Sequence, residues 1–117
     1  MPETYDSVTD RIGAFNEATE KISKGRANSV DCTVVGPTSC RLRLMKSDEH
    51  YRFEVSGAVP AGNEAVLLDM KFARSGDTYA RDVRRVERSW NVASQMEDIL
   101  GDVFRLPPDT AVTVDIQ

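Results

Sequence analysis

The densest run of chemistry-bearing side chains is DTYARDVRRVER at positions 77–88, which carries Arg81, Arg84, Arg85 and Arg88. On a helix this spacing (i, i+3, i+4, i+7) makes one arginine stripe, and guanidinium forks grip phosphate and carboxylate groups bidentately. On a strand the same four residues split between two faces. Tyr79 and Trp90 flank the run. Exposed aromatics beside arginines are the usual composition of interface hot spots. Arg81, Arg84, Arg85, Arg88, Trp90 and Tyr79 are therefore the candidate partner-binding group.

Arg41, Arg43 and Arg52 add basic character to the outward side of two upstream strands and supply a nucleic-acid alternative. Single-strand nucleic-acid binders place aromatics on the binding face. Here Tyr51 and Phe53 alternate to the other side, so that alternative lacks its stacking platform and nucleic acid is the disfavoured partner.

Nothing else in the chain assembles into a catalytic set. His50 is the single histidine; it cannot build a multi-histidine metal site, and it falls in a solvated turn beside Asp48 and Glu49. Cys32 and Cys40 do not have C-x-x-C spacing and fall on the same alternating faces as Val34 and Leu42, which reads as core packing rather than as a disulfide or a reactive thiol. Glu97 and Asp98 are neighbours on a helix and point apart. No Gly-rich phosphate loop, H-E-x-x-H or G-x-S-x-G is present. No catalytic residue, metal ligand or cofactor is assigned, and the reading leans away from an enzyme.

The elements that position these residues follow from periodicity. Tyr5, Val8, Ile12, Phe15 and Ile22 recur at helical steps over 5–24, with Ala18 and Thr19 between them. Ser7 and Asp10 make a capping-box pattern, and Gly25 offers a left-handed stop. From Asn28 the period becomes two. Val30/Cys32/Val34, Cys40/Leu42/Leu44, Tyr51/Phe53/Val55 and Val66/Leu68/Met70/Phe72 read as four strands of an antiparallel meander.

Residues 77–88 read as a fifth strand, with a helix as the alternative. As a strand turning at Gly76-Asp77, they set Asp82 opposite Lys71 and Arg84 opposite Asp69, and such opposite-charge pairs favour the register. Ser89 is a good N-cap for a second amphipathic helix over 90–104, on which Val92, Ala93, Met96, Ile99, Leu100, Val103 and Phe104 share a face. Gly101 is its weak point. Pro107-Pro108 ends it, and Val112, Val114 and Ile116 mark a last strand.

The expected fold is a two-layer α+β sandwich spanning residues 1–117 as one domain: N-terminal helix, four- or five-stranded antiparallel meander, second helix, C-terminal strand. The 117 residues are 40% hydrophobic and 29% charged, ordinary for a globular chain. The formal charge of −4 gives no overall attraction to nucleic acid or anionic membrane. No secretory signal, lipidation motif or apolar run of roughly 18 residues is present, so the cytoplasm is the expected location.

Together these features give a small non-catalytic protein-interaction or adaptor module, with an open sheet edge through which it could form a homodimer. The alternatives are a nucleic-acid-associated regulator using Arg81–Arg88, or a small-molecule binder or enzyme with a cup between sheet and helix lined by Leu68, Met70, Phe53 and Met96.

Overall fold

The change of period from 3.6 to two near residue 28 marks the passage from the first helix into the sheet in the computed structural model. The structure describes every residue except Met1, Pro2, Pro37, Asp48, Glu49, Arg85, Val86 and Glu87. The elements are β1 (Glu3–Tyr5), α1 (Val8–Ser23), β2 (Ser29–Val34), β3 (Cys40–Ser47), β4 (His50–Gly57), α2 (Glu64–Asp69), β5 (Ala73–Ser75), β6 (Thr78–Arg84), α3 (Ser89–Asp98) and β7 (Val112–Ile116). The mixed α+β class holds, but the sheet has seven strands among the described residues rather than four or five. Their order is β1-β7-β2-β3-β4-β6-β5, and every pairing is antiparallel.

The first helix begins at Val8, not Tyr5, because Glu3–Tyr5 pairs with β7 as an edge strand. Its capping contact is as expected: the Ser7 side chain accepts a hydrogen bond from the Asp10 amide at 3.2 Å. So is its stop: Gly25 takes φ 74° and the Arg26 amide returns to the Lys21 carbonyl at 2.8 Å. The buried face is rotated from the one periodicity suggests. Val8 is exposed, while Arg11 lies buried beside Ala14, Phe15, Ala18 and Ile22.

β2, β3 and β4 form the expected meander. The fourth expected strand is a correction, because residues 64–69 form the short helix α2. Glu-Ala-Val-Leu-Leu is made mostly of good helix formers, and a 3₁₀ turn at Ala61–Asn63 starts the coil. Only Leu67 is buried on α2, and Leu68 points to solvent, so the alternation of Val66, Leu68 and Met70 was not a sheet pattern. Lys71, at φ 73°, then turns the chain into the short strand β5.

Residues 78–84 are a strand, with the turn at Gly76-Asp77 in the expected register. Ser75 pairs with Thr78 and Ala73 with Ala80. The expected Lys71/Asp82 and Asp69/Arg84 pairs do not form, since α2 has replaced that strand.

The second helix also differs at its ends. Arg88 holds the N-cap position with no side-chain cap bond, and Ser89 is the first helical residue. The α-helix ends at Asp98 and continues as a wider π-turn over Ile99–Val103, centred on Gly101.

The inner face of the sheet is lined by Val30, Cys32, Leu42, Leu44, Tyr51, Phe53, Val55, Val83, Val112 and Val114, all buried in one core with the inward residues of α1 and α3. Phe53 meets Phe72 edge-on, with ring centroids 5.3 Å apart and planes at 83°. Such a pair adds about 1 kcal/mol beyond its buried area. The outer face carries cross-strand rows that are polar except for Ala80. One runs Asp115–Asp31–Arg43–Glu54–Ala80, and the next runs Thr113–Thr33–Arg41–Ser56–Thr78.

Candidate interaction surface

The six residues of the arginine–aromatic group divide between the interior and the surface. Because β6 is a strand, Arg81 falls on the core side of the sheet, opposite Phe53. Its guanidinium lies 5.3 Å from the Phe72 ring centroid, donates to the Met70 carbonyl at 2.8 Å and donates to the Gln95 side chain. Arg81 therefore ties β6 to the end of α2 and to α3.

Tyr79 is a second correction. It is buried, not exposed, with the Arg74 guanidinium 6.0 Å from its ring. Burial, reinforced by a hydrogen bond to Glu64, raises its hydroxyl above the ordinary tyrosine range.

Arg84, Arg88 and Trp90 remain outside. Arg84 ends β6 with its side chain exposed, opposite the exposed His50. Arg85 lies outside the described residues. Arg88 is exposed at the start of α3. Trp90, in the first turn, is 55% exposed and is the most exposed large hydrophobic side chain among the described residues. It sits on a fixed support, since the neighbouring Ser89 hydroxyl donates to Asn16 Oδ1 of α1 at 2.8 Å.

The outer-sheet arginines are occupied by neighbouring acids. Arg41 and Arg43 both reach Asp31, at 3.0 and 3.4 Å, and Arg52 reaches Glu54 at 3.1 Å. Asp31 keeps only 14% of its side chain exposed beneath the two guanidinium groups. The face is thus charge-balanced locally, and its aromatic residues lie on the opposite side.

The cysteines behave as core residues. Both are buried and free. Burial, with Cys40 nearby, pushes the Cys32 thiol far up, and burial raises Cys40 to about 12. Neither has the electropositive, accessible setting that makes a reactive thiolate. Phe53 and Met96 are completely buried in the same core, whereas Leu68 faces solvent, so these residues do not gather around a common cup. A cleft of about 430 Å³ lies elsewhere, between α1 and the β1/β7 edge, lined by Glu3, Tyr5, Glu17, Lys21 and Arg26. Among the described residues there is no cluster of three or more metal-ligating side chains, and no helix is long and apolar enough to cross a membrane.

One buried polar group leaves little trace in the sequence pattern. Arg11 is 2% exposed, donates through Nε and Nη2 to both carboxylate oxygens of Glu97, and through Nη1 to the carbonyls of Pro108 and Thr110 at 2.9 and 2.7 Å. The only sequence signal was its position between Val8 and Phe15, where an arginine reads as the edge of a stripe. Comparison with protein-family models, with curated proteins and with solved structures finds no match to this chain.

Proposed function

We propose that the chain is a non-catalytic protein-interaction module whose recognition surface is centred on Trp90, with Arg88 at its rim. The observation that carries this reading is the 55% exposure of Trp90 on a helix whose first turn is tethered to α1. A tryptophan on a rigid support offers a large contact area at little entropic cost, and arginine beside it suits a polar or acidic rim on the partner. The buried thiols and the internally used Arg81 and Arg11 support a structural rather than a chemical role for the interior.

The ion pairing of Arg41, Arg43 and Arg52 and the absence of aromatics on their face weigh against nucleic acid as the partner. The test is affinity capture from cells with wild-type chain, Trp90→Ala and Arg88→Ala side by side. At least one partner held by the wild type is expected to be lost from Trp90→Ala and weakened with Arg88→Ala. An identical partner set for all three proteins overturns the proposed surface. Retention on heparin or single-stranded DNA that falls steeply with salt overturns the choice of partner class.

A further inference from the structure

The outer edge of β6 is half empty. β5 covers only Thr78, Tyr79 and Ala80, and ends at Ala73 where Lys71, at φ 73°, has taken the chain off the edge. No strand among the described residues lies beyond it, so Arg81–Arg84 are bordered by a strand on the β4 side alone.

The direction of the main-chain groups there follows from the ladder. Ser75 and Thr78 close a two-residue hairpin loop in which Gly76 has φ 62°, and the closing pair of such a loop exchanges both hydrogen bonds. The pattern alternates, so Thr78, Ala80, Asp82 and Arg84 direct N–H and C=O toward the β5 side. Counting from the other hairpin agrees. Ser47 pairs with His50, so Tyr51, Phe53 and Val55 bond toward β6, opposite Val83, Arg81 and Tyr79. Asp82 and Arg84 therefore present outward main-chain groups that no strand among the described residues receives.

Their side chains also lack their expected partners. Both are exposed on the outer face, and neither is in an ion pair among the described residues. Arg52, opposite Asp82, turns to Glu54 instead.

We infer that this edge pairs with the same edge of a second copy, β6 against β6, antiparallel about a two-fold axis at Val83. A two-fold normal to the sheet keeps both outer faces on one side, so the axis must pass through a residue position. An axis at Asp82 opposes two carboxylates and calls on Ala80, which β5 already occupies. An axis at Arg84 opposes two guanidinium groups. The axis at Val83 places Asp82 opposite the partner's Arg84, and Arg84 opposite the partner's Asp82. Each of these pairs exchanges main-chain hydrogen bonds and carries a cross-strand ion pair. The interface is isologous and closes at the dimer.

The test is sedimentation velocity of the full chain, with circular dichroism to show that each variant is folded. The wild type is expected to sediment as a dimer. Asp82→Arg and Arg84→Asp should each weaken self-association roughly tenfold or more, since both symmetric pairs turn repulsive at once. Mixing the two single variants should restore the dimer, because one copy then supplies two arginines and the other two aspartates. The double swap D82R/R84D should restore it alone. A wild type that stays monomeric at the highest concentration reached, or a dimer indifferent to Asp82→Arg, overturns the inference. Trp90→Ala is expected to leave the dimer intact, so this result and the partner-capture result are read independently.

Discussion

Arg11 of α1 and Glu97 of α3 hold the two helices together through a two-pronged ion pair with side-chain exposures of 3% and 15%. The same guanidinium also fastens the loop before β7 through the Pro108 and Thr110 carbonyls. Removing one partner of a buried pair leaves the other charge stranded, at a cost of about 3–5 kcal/mol. Arg11→Ala is expected at the upper end of that range because it also frees two carbonyls, and Glu97→Ala at the lower end. Urea unfolding of both variants measures the order, and near-equal losses under 1 kcal/mol would contradict this account of the clip.

Trp90 and Tyr79 are expected to part company under truncation. Trp90→Ala removes a side chain that is more than half in solvent and should shift stability by about 0.5 kcal/mol or less. Tyr79→Ala opens a cavity beneath β5 and β6 and should cost roughly 3 kcal/mol or more. Thermal melts of the two proteins decide between a recognition residue and a core residue at each position.

Two glycines should respond to alanine with opposite sign. Gly57 has φ 120°, and an added Cβ would meet the Ser39 carbonyl oxygen at 2.2 Å. Backbone strain and overlap together should cost about 2 kcal/mol or more. Gly101 sits in the π-turn with an ordinary φ and open space around the site of a Cβ. Gly101→Ala should be neutral or stabilise by up to about 1 kcal/mol. The change in unfolding midpoint of each variant gives the sign directly.

The buried thiols predict both a chemical and a pH behaviour. Cys40 rises from 9.0 to about 12 in the folded chain, and Cys32 rises further for the same reason, burial. An aromatic disulfide reagent at pH 8 is expected to leave both unmodified in the native protein and to titrate both in denaturant. The folded state holds these protons where the unfolded state releases them. Their contribution to stability is therefore complete below about pH 9 and is lost as the pH climbs from there toward 12. Unfolding followed from pH 8 to 11 should show stability falling once the pH passes about 9, and Cys40→Ser should lessen that slope.

The local devices of this fold were legible in the chain. Ser7 and Gly25 bound α1, the period-two runs of β2, β3 and β4 name their own inner residues, and Gly76-Asp77 fixes the β5–β6 register. Each depends on backbone geometry within a few residues, so sequence alone determined it. The burial of Cys32 and Cys40 was readable for the same reason.

The long-range relationships were decided by tertiary structure. β1 and α2 are too short for a period to declare itself, and Val66-Leu67-Leu68 satisfies helix and strand alike until Leu67 finds the core. β7 enters between β1 and β2 because two distant segments happen to complement its edges, which no local pattern encodes. Arg11 is buried only because Glu97 and two loop carbonyls, 86 to 99 residues away in the chain, converge on it. The arginine run became three surfaces rather than one stripe when β6 chose a strand. Arg81 then turned to the core, Arg84 to the open edge and Arg88 to the head of α3, since neighbouring residues of a strand face opposite ways and only the packing of α2 and α3 decides what each side meets.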